Sequence, residues 1–273
     1  MKRKGFTLVE LLVVISIIAL LMAILMPALS RVKDQAKTII CRVNLKNLSL
    51  AWTMYADDNE GYICQGENDT SQRPGDQKNP YSWIGPPIGT SDPAYQAGMS
   101  MVDRDKEGIK NGMLWPYAED VDIYHCPADK MALEESSTSN ANPFTTYAIP
   151  AGLNGRHDEY VGVPEGKNEP IENYIEIIRP AEKYIFVEEN DAGGDNWGSW
   201  VLNPYGEAWW DPMDIYHNKK ACLGFADGHA EVHQWFDDTT IIMAETQTQG
   251  IRPEEHEGRD LEYMQDGYAL KGH

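Results

Sequence analysis

The sequence predicts an α+β protein. A long N-terminal helix, apolar in its first half and amphipathic in its second, packs on an antiparallel β-sheet domain with long loops. Three observations predict this. Residues 6–26 form a 21-residue run in which Glu10 is the only charged residue. A helical period then continues past Pro27 toward Gly61. In the C-terminal half, Asp227-Gly228 separates two strand-like runs, and Tyr184 to Glu188 reads as another strand. The chain has 273 residues, about 210 of them after the helix, which suffices for one sizeable domain.

As a helix at ~1.5 Å per residue, the apolar run spans roughly 30 Å, the thickness of a bilayer's hydrocarbon core. It exceeds the ~7–15 apolar residues of a cleaved secretory signal, and the small-residue triplet Ala28-Leu29-Ser30 comes only after the full span. A carboxylate in hydrocarbon costs about 2.5–3.5 kcal/mol on insertion scales, so Glu10 needs a partner. With the chain cut between Gly5 and Phe6, Glu10 falls in the first helical turn, where the helix dipole favours an anion. The new α-amine would be a second partner, in cis or on a neighbouring subunit. Lys2, Arg3 and Lys4 precede the span, so the positive-inside rule puts residues 1–5 in the cytoplasm and everything after Pro27 on the other side.

The stretch KGFTLVELLVVISIIALLMAILMPAL resembles the N-terminal segment of type IV prepilins and of the pseudopilins of type II secretion. Their motif is a basic leader, Gly, a cleavage before an often N-methylated Phe, then TLVELLVVIAII. The resemblance implies a pilin-like fold and a role for each residue. Gly5 ends the leader, Phe6 becomes the methylated terminus, Glu10 is the assembly and methylation acid, and Pro27 kinks the helix. The chain is then expected to divide into leader 1–5, transmembrane half 6–26, amphipathic half 27–61, extracytoplasmic domain 62–236 and polar tail 237–273. The implied partners are prepilin peptidase, other pseudopilin subunits and the inner membrane. That membrane would be crossed once, with the N-terminus cytoplasmic and the C-terminal domain periplasmic.

Beyond Pro27, the apolar residues Val32, Ala36, Ile39 or Ile40, Val43, Leu50 and Met54 recur mostly at three- and four-residue steps. This stripe is predicted to pack on the sheet. Pro27 bends the helix without ending it, and the DDNEG stretch closing at Gly61 stops it. Residues 62–112, rich in Gly, Pro, Asn, Asp and Ser, read as a long ordered loop or insertion. GMLWPYAEDVDIYHCPAD supplies a short helix start and a brief apolar piece, and TTYAIPAGLNG a strand and turn. In HNKKACLGFADGHAEVHQWF, Asp227-Gly228 reads as a two-residue hairpin turn. Pairing Ala226 with His229 sets Phe225 opposite Ala230 and Leu223 opposite Val232. Leu223, Phe225, Ala230 and Val232 then face the helix, while Cys222, His229, Glu231 and His233 face away.

His217, nine residues, then Asp227-Gly228 resembles the H-X9-DG signature of a pilin-like family with a prepilin N-terminus. NLKNLSLAWTMYADDNEGY, LWPYAEDVDIYHCPAD and FADGHAEV resemble that family's recurring segments. Residues 62–112 and the tail after about Asp237 lie outside the resemblance, which implies no activity.

The formal charge is −20, or −23 without Lys2, Arg3 and Lys4, which leaves 20 basic against 43 acidic residues. Phosphate binding needs clustered Lys and Arg, so nucleic acid is excluded as a partner. Cys41, Cys64, Cys126 and Cys222 would sit in a disulfide-permissive compartment, where four cysteines allow three pairings. His217, Asp227 and His229 are metal-ligand types that Glu188 or Glu189 could join. The simpler reading gives Asp227 the turn and has His217 hydrogen-bond a neighbouring backbone group. The loop from Glu189 to Asn196 spaces Glu189, Asp191 and Asp195 among glycines, as a calcium site would. Major pseudopilins resemble it in carrying a loop calcium site, though the spacing matches no motif, and no cofactor is otherwise expected. Trp197, Trp200, Tyr205, Trp209 and Trp210 cluster within fourteen residues. They would pack the loop on its own domain or stack on sugar rings or partner proteins. No Ser/His/Asp order, nucleotide loop or HExxH motif occurs, so no enzyme is expected.

The sequence thus points to a pseudopilin-like structural subunit of a type II secretion system or related pilus-like filament. The alternative is a membrane-displayed binding module for a glycan or surface partner, using the N-terminal segment only for export.

Overall fold

Helix α1 (Leu8–Asp58) runs unbroken for 51 residues with Pro27 inside it. The computed structural model from which it is taken describes residues 8–66, 82–129, 144–154, 169–189 and 198–271. The helix ends where the sequence predicts: the N–H groups of Asn59 and Gly61 both return to the carbonyl of Ala56, at 3.1 and 2.8 Å. From Leu8 to Ala36 every helix residue is exposed. At ~1.5 Å per residue, more than 40 Å of helix stands clear of the domain. Contact begins in earnest at Cys41. Cys41, Leu45, Leu48, Trp52 and Tyr55 are buried, alternating steps of four and three that put them on one face.

This is not the stripe that the sequence predicted. Val32, Ile39, Ile40, Val43, Leu50 and Met54 are all exposed, between 45 and 59 %. The second half of the helix has two apolar faces, and hydrophobicity alone does not say which one meets the domain. Leu45, Leu48 and the aromatic side chains meet it; the β-branched residues, Leu50 and Met54 stay outside.

Five strands form one sheet in the order β3-β1-β2-β4-β5. They are β1 (Tyr147–Pro150), β2 (Tyr184–Glu188), β3 (Ser199–Trp200), β4 (Lys220–Phe225) and β5 (Ala230–Gln234). The pairs β1–β2, β2–β4 and β4–β5 are antiparallel, and the edge pair β1–β3 is parallel. The predicted α+β architecture is present, with a mixed sheet. Helix α1 packs on β4, β5 and β2. The approach is closest at Gly224, where an added Cβ would lie 2.6 Å from Ser49 Oγ and 3.3 Å from the Leu45 carbonyl.

The β4–β5 hairpin forms, in a register one residue from the predicted one. Gly224 pairs with Ala230, Leu223 with Glu231 and Cys222 with Val232. The loop has three residues, not two. Gly228 N–H bonds back to the Phe225 carbonyl at 3.0 Å, and Gly228 alone at the tip is left-handed (φ 89°). That is the three-residue alternative to a type I′ turn. Because side chains alternate along a strand, the slip reverses β4 relative to β5. Ala230 and Val232 face α1 as predicted, but they share that side with Cys222, while Leu223 and Phe225 pack on the far face.

That far face is also covered. Trp200, Trp209, Met213, Leu223 and Phe225 pack there with residues from the segment read as a polar tail. The segment contains α3 (Asp238–Thr246) and α4 (Arg259–Gly267). Leu261, Met264, Tyr268 and Leu270 are buried among the aromatics. Polar ties fix it. Lys183 Nζ donates to the carbonyls of Asp266 and Tyr268, at 2.7 and 3.1 Å, and Tyr184 Oη donates to the Met264 carbonyl at 2.5 Å. With Ile241 and Met243 of α3, Leu261, Met264, Tyr268 and Leu270 make six residues, spread among many charges, that close the second half of the core. Within the stretch read as a long loop, α2 (Met101–Ile109) starts at a capping box formed by Ser100 and Asp103.

Candidate functional site

Two features stand out. The first is the projecting half of α1. Among the described residues, α1 is the one helix long and apolar enough to cross a membrane. Glu10 lies in its first turn as described. Gly5 and Phe6 lie outside the described residues.

The second is a polar cluster sealed between α1 and the sheet, built from four separate stretches of chain. Cys41 comes from the first buried turn of α1. Cys126 follows the short 3₁₀ turn Val121–Tyr124, and Glu188 ends β2. His217 precedes β4, at a reversal where Asn218 and Lys219 are both left-handed (φ 59° and 60°). One donor atom from each lies within 4.8 Å of the other three, and all four residues are buried. His217 Nε2 is 3.0 Å from Glu188 Oε1 and 3.3 Å from Cys126 Sγ. Cys41 Sγ is in direct contact with the same Glu188 oxygen. Around them, Tyr147 Oη donates to Cys41 Sγ at 3.2 Å, and the Cys222 backbone N–H donates to Glu188 Oε2 at 2.5 Å. Thr38 Oγ1 is 3.1 Å from His217 Nδ1.

The electrostatics follow from this crowding. Burial pushes the Cys41 thiol well above its ordinary range, and the Cys126, Cys222 and Glu188 groups add to the rise. Burial alone would lower His217. The acceptors Cys126, Cys222 and Glu188 outweigh it and hold the imidazole far above its usual pKa. Asp214, fully buried beside the cluster, is raised by burial and by the Glu188 charge. The arrangement gathers thiols and carboxyl groups around one imidazole.

Residues 1–26 match the family described as the prokaryotic N-terminal methylation motif. Over that segment the chain is similar to prepilins. It is 32 % identical over 84 residues to the type II secretion system core protein G of Pseudomonas aeruginosa, covering 30 % of this chain and 59 % of that protein. It is also 42 % identical over 59 residues to the type IV wide pilus major component of Thermus thermophilus, covering 22 % of this chain and 45 % of that protein. The chain thus spans about half the length of these curated relatives. No solved structure matches it.

On this prepilin-like chain the residues singled out in the sequence separate. His217 joins the buried cluster through side-chain contacts. Asp227 does not: it sits at the hairpin tip, at the other end of β4. There its Oδ1 accepts from the His229 backbone N–H at 3.1 Å and contacts His229 Nδ1 at 2.5 Å. Of the two acids weighed beside them, Glu188 is the one that meets His217. Glu189 is buried on the bridge to Met213, and Asp191 and Asp195 lie outside the described residues. Trp200 and Trp209 are fully buried, ringed by Tyr184, Tyr268 and Trp235. Tyr205 and Trp210 are partly exposed, and Trp197 is outside the described residues. Packing therefore accounts for the core of the aromatic cluster. Sequence reasoning missed the convergence of Cys41 and Cys126 on His217. The signal was the Cys41–Leu45–Leu48–Trp52 spacing, passed over for the more hydrophobic stripe.

Proposed function

We propose that the chain is a pseudopilin-like structural subunit of a type II secretion system or a related type IV pilus-like filament. Prepilin peptidase cuts between Gly5 and Phe6 and methylates the new terminus. Residues 6–26 then hold the subunit in the inner membrane, with the domain on the periplasmic side, until it assembles with other pseudopilin subunits.

One observation carries the reading: the apolar surface of α1 does not stop where the membrane-length run stops. It continues as Val32, Ile39, Val43, Leu50 and Met54, all exposed on a helix whose other face already grips the domain. Lipid explains exposed apolar residues up to Met26; beyond that a neighbouring helix is the natural cover, at about 1.5–3 kcal/mol per large aliphatic side chain buried. Glu10 is the complementary polar device, an acid whose cost in hydrocarbon is offset by the α-amine of an adjacent subunit. Glu10→Ala should insert in the membrane normally yet give no filaments when overproduced. Normal filaments from that variant, or native protein retaining Met1 and an unmethylated terminus by mass spectrometry, would overturn the proposal.

A further inference from the structure

We propose that Cys41, Cys126, Glu188 and His217 bind one zinc ion that staples α1 to the domain. Two sulfurs, one imidazole nitrogen and one carboxylate oxygen form a donor set suited to zinc rather than to calcium or magnesium, which take oxygen ligands. Tetrahedral bonds of ~2.0–2.3 Å place ligand atoms roughly 3.3–3.8 Å apart. The four donor atoms already lie within 4.8 Å of one another, so shifts of about an ångström or less bring them round an ion.

The surroundings are organised as a second layer around such an ion. Thr38 Oγ1 donates to the Asp34 carbonyl at 3.0 Å. Its lone pair therefore accepts from His217 Nδ1, which keeps that nitrogen protonated and leaves Nε2 to face Cys126 and Glu188. This is how a metal-bound histidine is held. Glu188 is oriented likewise, Oε2 taking the Cys222 N–H while Oε1 points inward. The acid count points the same way. Glu188, Asp214 and the thiols crowd a buried site whose one basic partner among the described residues is His217, and the Asp214 Oδ2 atom makes no hydrogen bond among the described residues. A divalent cation is the partner that would let the thiols give up their protons. His217, with Thr38, lines a cleft of about 850 Å³ on one side of the cluster. Binding releases the thiol protons and the Nε2 proton and needs no oxidant, unlike a Cys41–Cys126 disulfide.

Full-length protein purified in detergent without chelator should contain one zinc per chain by elemental mass spectrometry. Cys126→Ser and His217→Gln should lose it, while Cys64→Ser, buried elsewhere in the core, should keep it. Thr38→Val removes only the orienting hydroxyl and should weaken zinc binding by roughly 10–100-fold. Cobalt in place of zinc should give a thiolate charge-transfer band that Cys41→Ser halves. Should the cysteine variants not fold, the wild type serves: stripped with chelator, it should melt lower and recover on adding zinc alone. A zinc-free chain whose melting ignores added zinc, or a Cys41–Cys126 disulfide in non-reducing mass spectrometry, would overturn the assignment.

Discussion

Asp105 lies on α2 with no exposed surface, its Oδ2 accepting the backbone N–H groups of Phe144 and Thr145 at 2.8 and 3.3 Å. Burial pushes its pKa from 3.8 to about 7, against the pull of those two donors and of Lys106. A carboxyl group raised on folding keeps in the native state a proton that the unfolded chain has already lost. Its contribution is therefore full below about pH 4 and is lost as pH rises through about 7, a swing of about 4 kcal/mol at ~1.36 kcal/mol per pKa unit. Urea unfolding from pH 4 to 8 should show stability falling across that window, and Asp105→Asn should flatten the fall. Asp214 and Asp260, raised in the same direction by burial, add to the slope that remains. An unchanged pH profile in the Asn variant would show that Asp105 is ionised throughout.

The packing of α1 on β4 sets the tightest tolerance among the elements. Gly224→Ala drives a methyl against Ser49 Oγ and the Leu45 carbonyl, and a helix held along about four turns cannot step aside freely. Thermal or chemical unfolding should register a loss of about 1–3 kcal/mol. Adding Ser49→Ala, which removes the nearer atom, should restore part of it; a neutral single variant would contradict the close approach. The element scale also shows what the sequence revealed and what it hid. The membrane-length run, the end of α1 near Gly61 and the existence of the hairpin were all legible, because length, capping and turn residues act locally. The hairpin register was not, because Asp-Gly serves a two-residue loop and equally a three-residue loop with Gly at its left-handed position. That single residue decided the face of Cys222 and hid one wall of the buried cluster. The domain-facing stripe of α1 was also hidden, since a helix that is apolar on two sides offers two equally periodic answers. The remaining ligands of the cluster come from stretches far apart in the chain, joined only by the fold.

Over the whole molecule, the sheet has a core on each face, and the two are completed by opposite ends of the chain. Removing residues 259–273 would uncover Trp200, Tyr184 and Phe225 and withdraw Leu261, Met264, Tyr268 and Leu270. At about 1.5–3 kcal/mol for each large apolar side chain, the loss rivals the ~5–15 kcal/mol that hold a domain together. The truncated protein should lose its near-ultraviolet dichroism and be cut rapidly by protease. A truncation as resistant as the full chain would mean that the second core is dispensable.

The carbonyls of Met264, Asp266 and Tyr268 accept the lysine and tyrosine bonds at the start of β2, and they are made after every strand of the sheet. A growing chain therefore has one side of its sheet wet and sticky until residues 259–271 are made. The domain reaches its final form only with that stretch in place, so the interval before it is when a chaperone or a protease has its best opportunity.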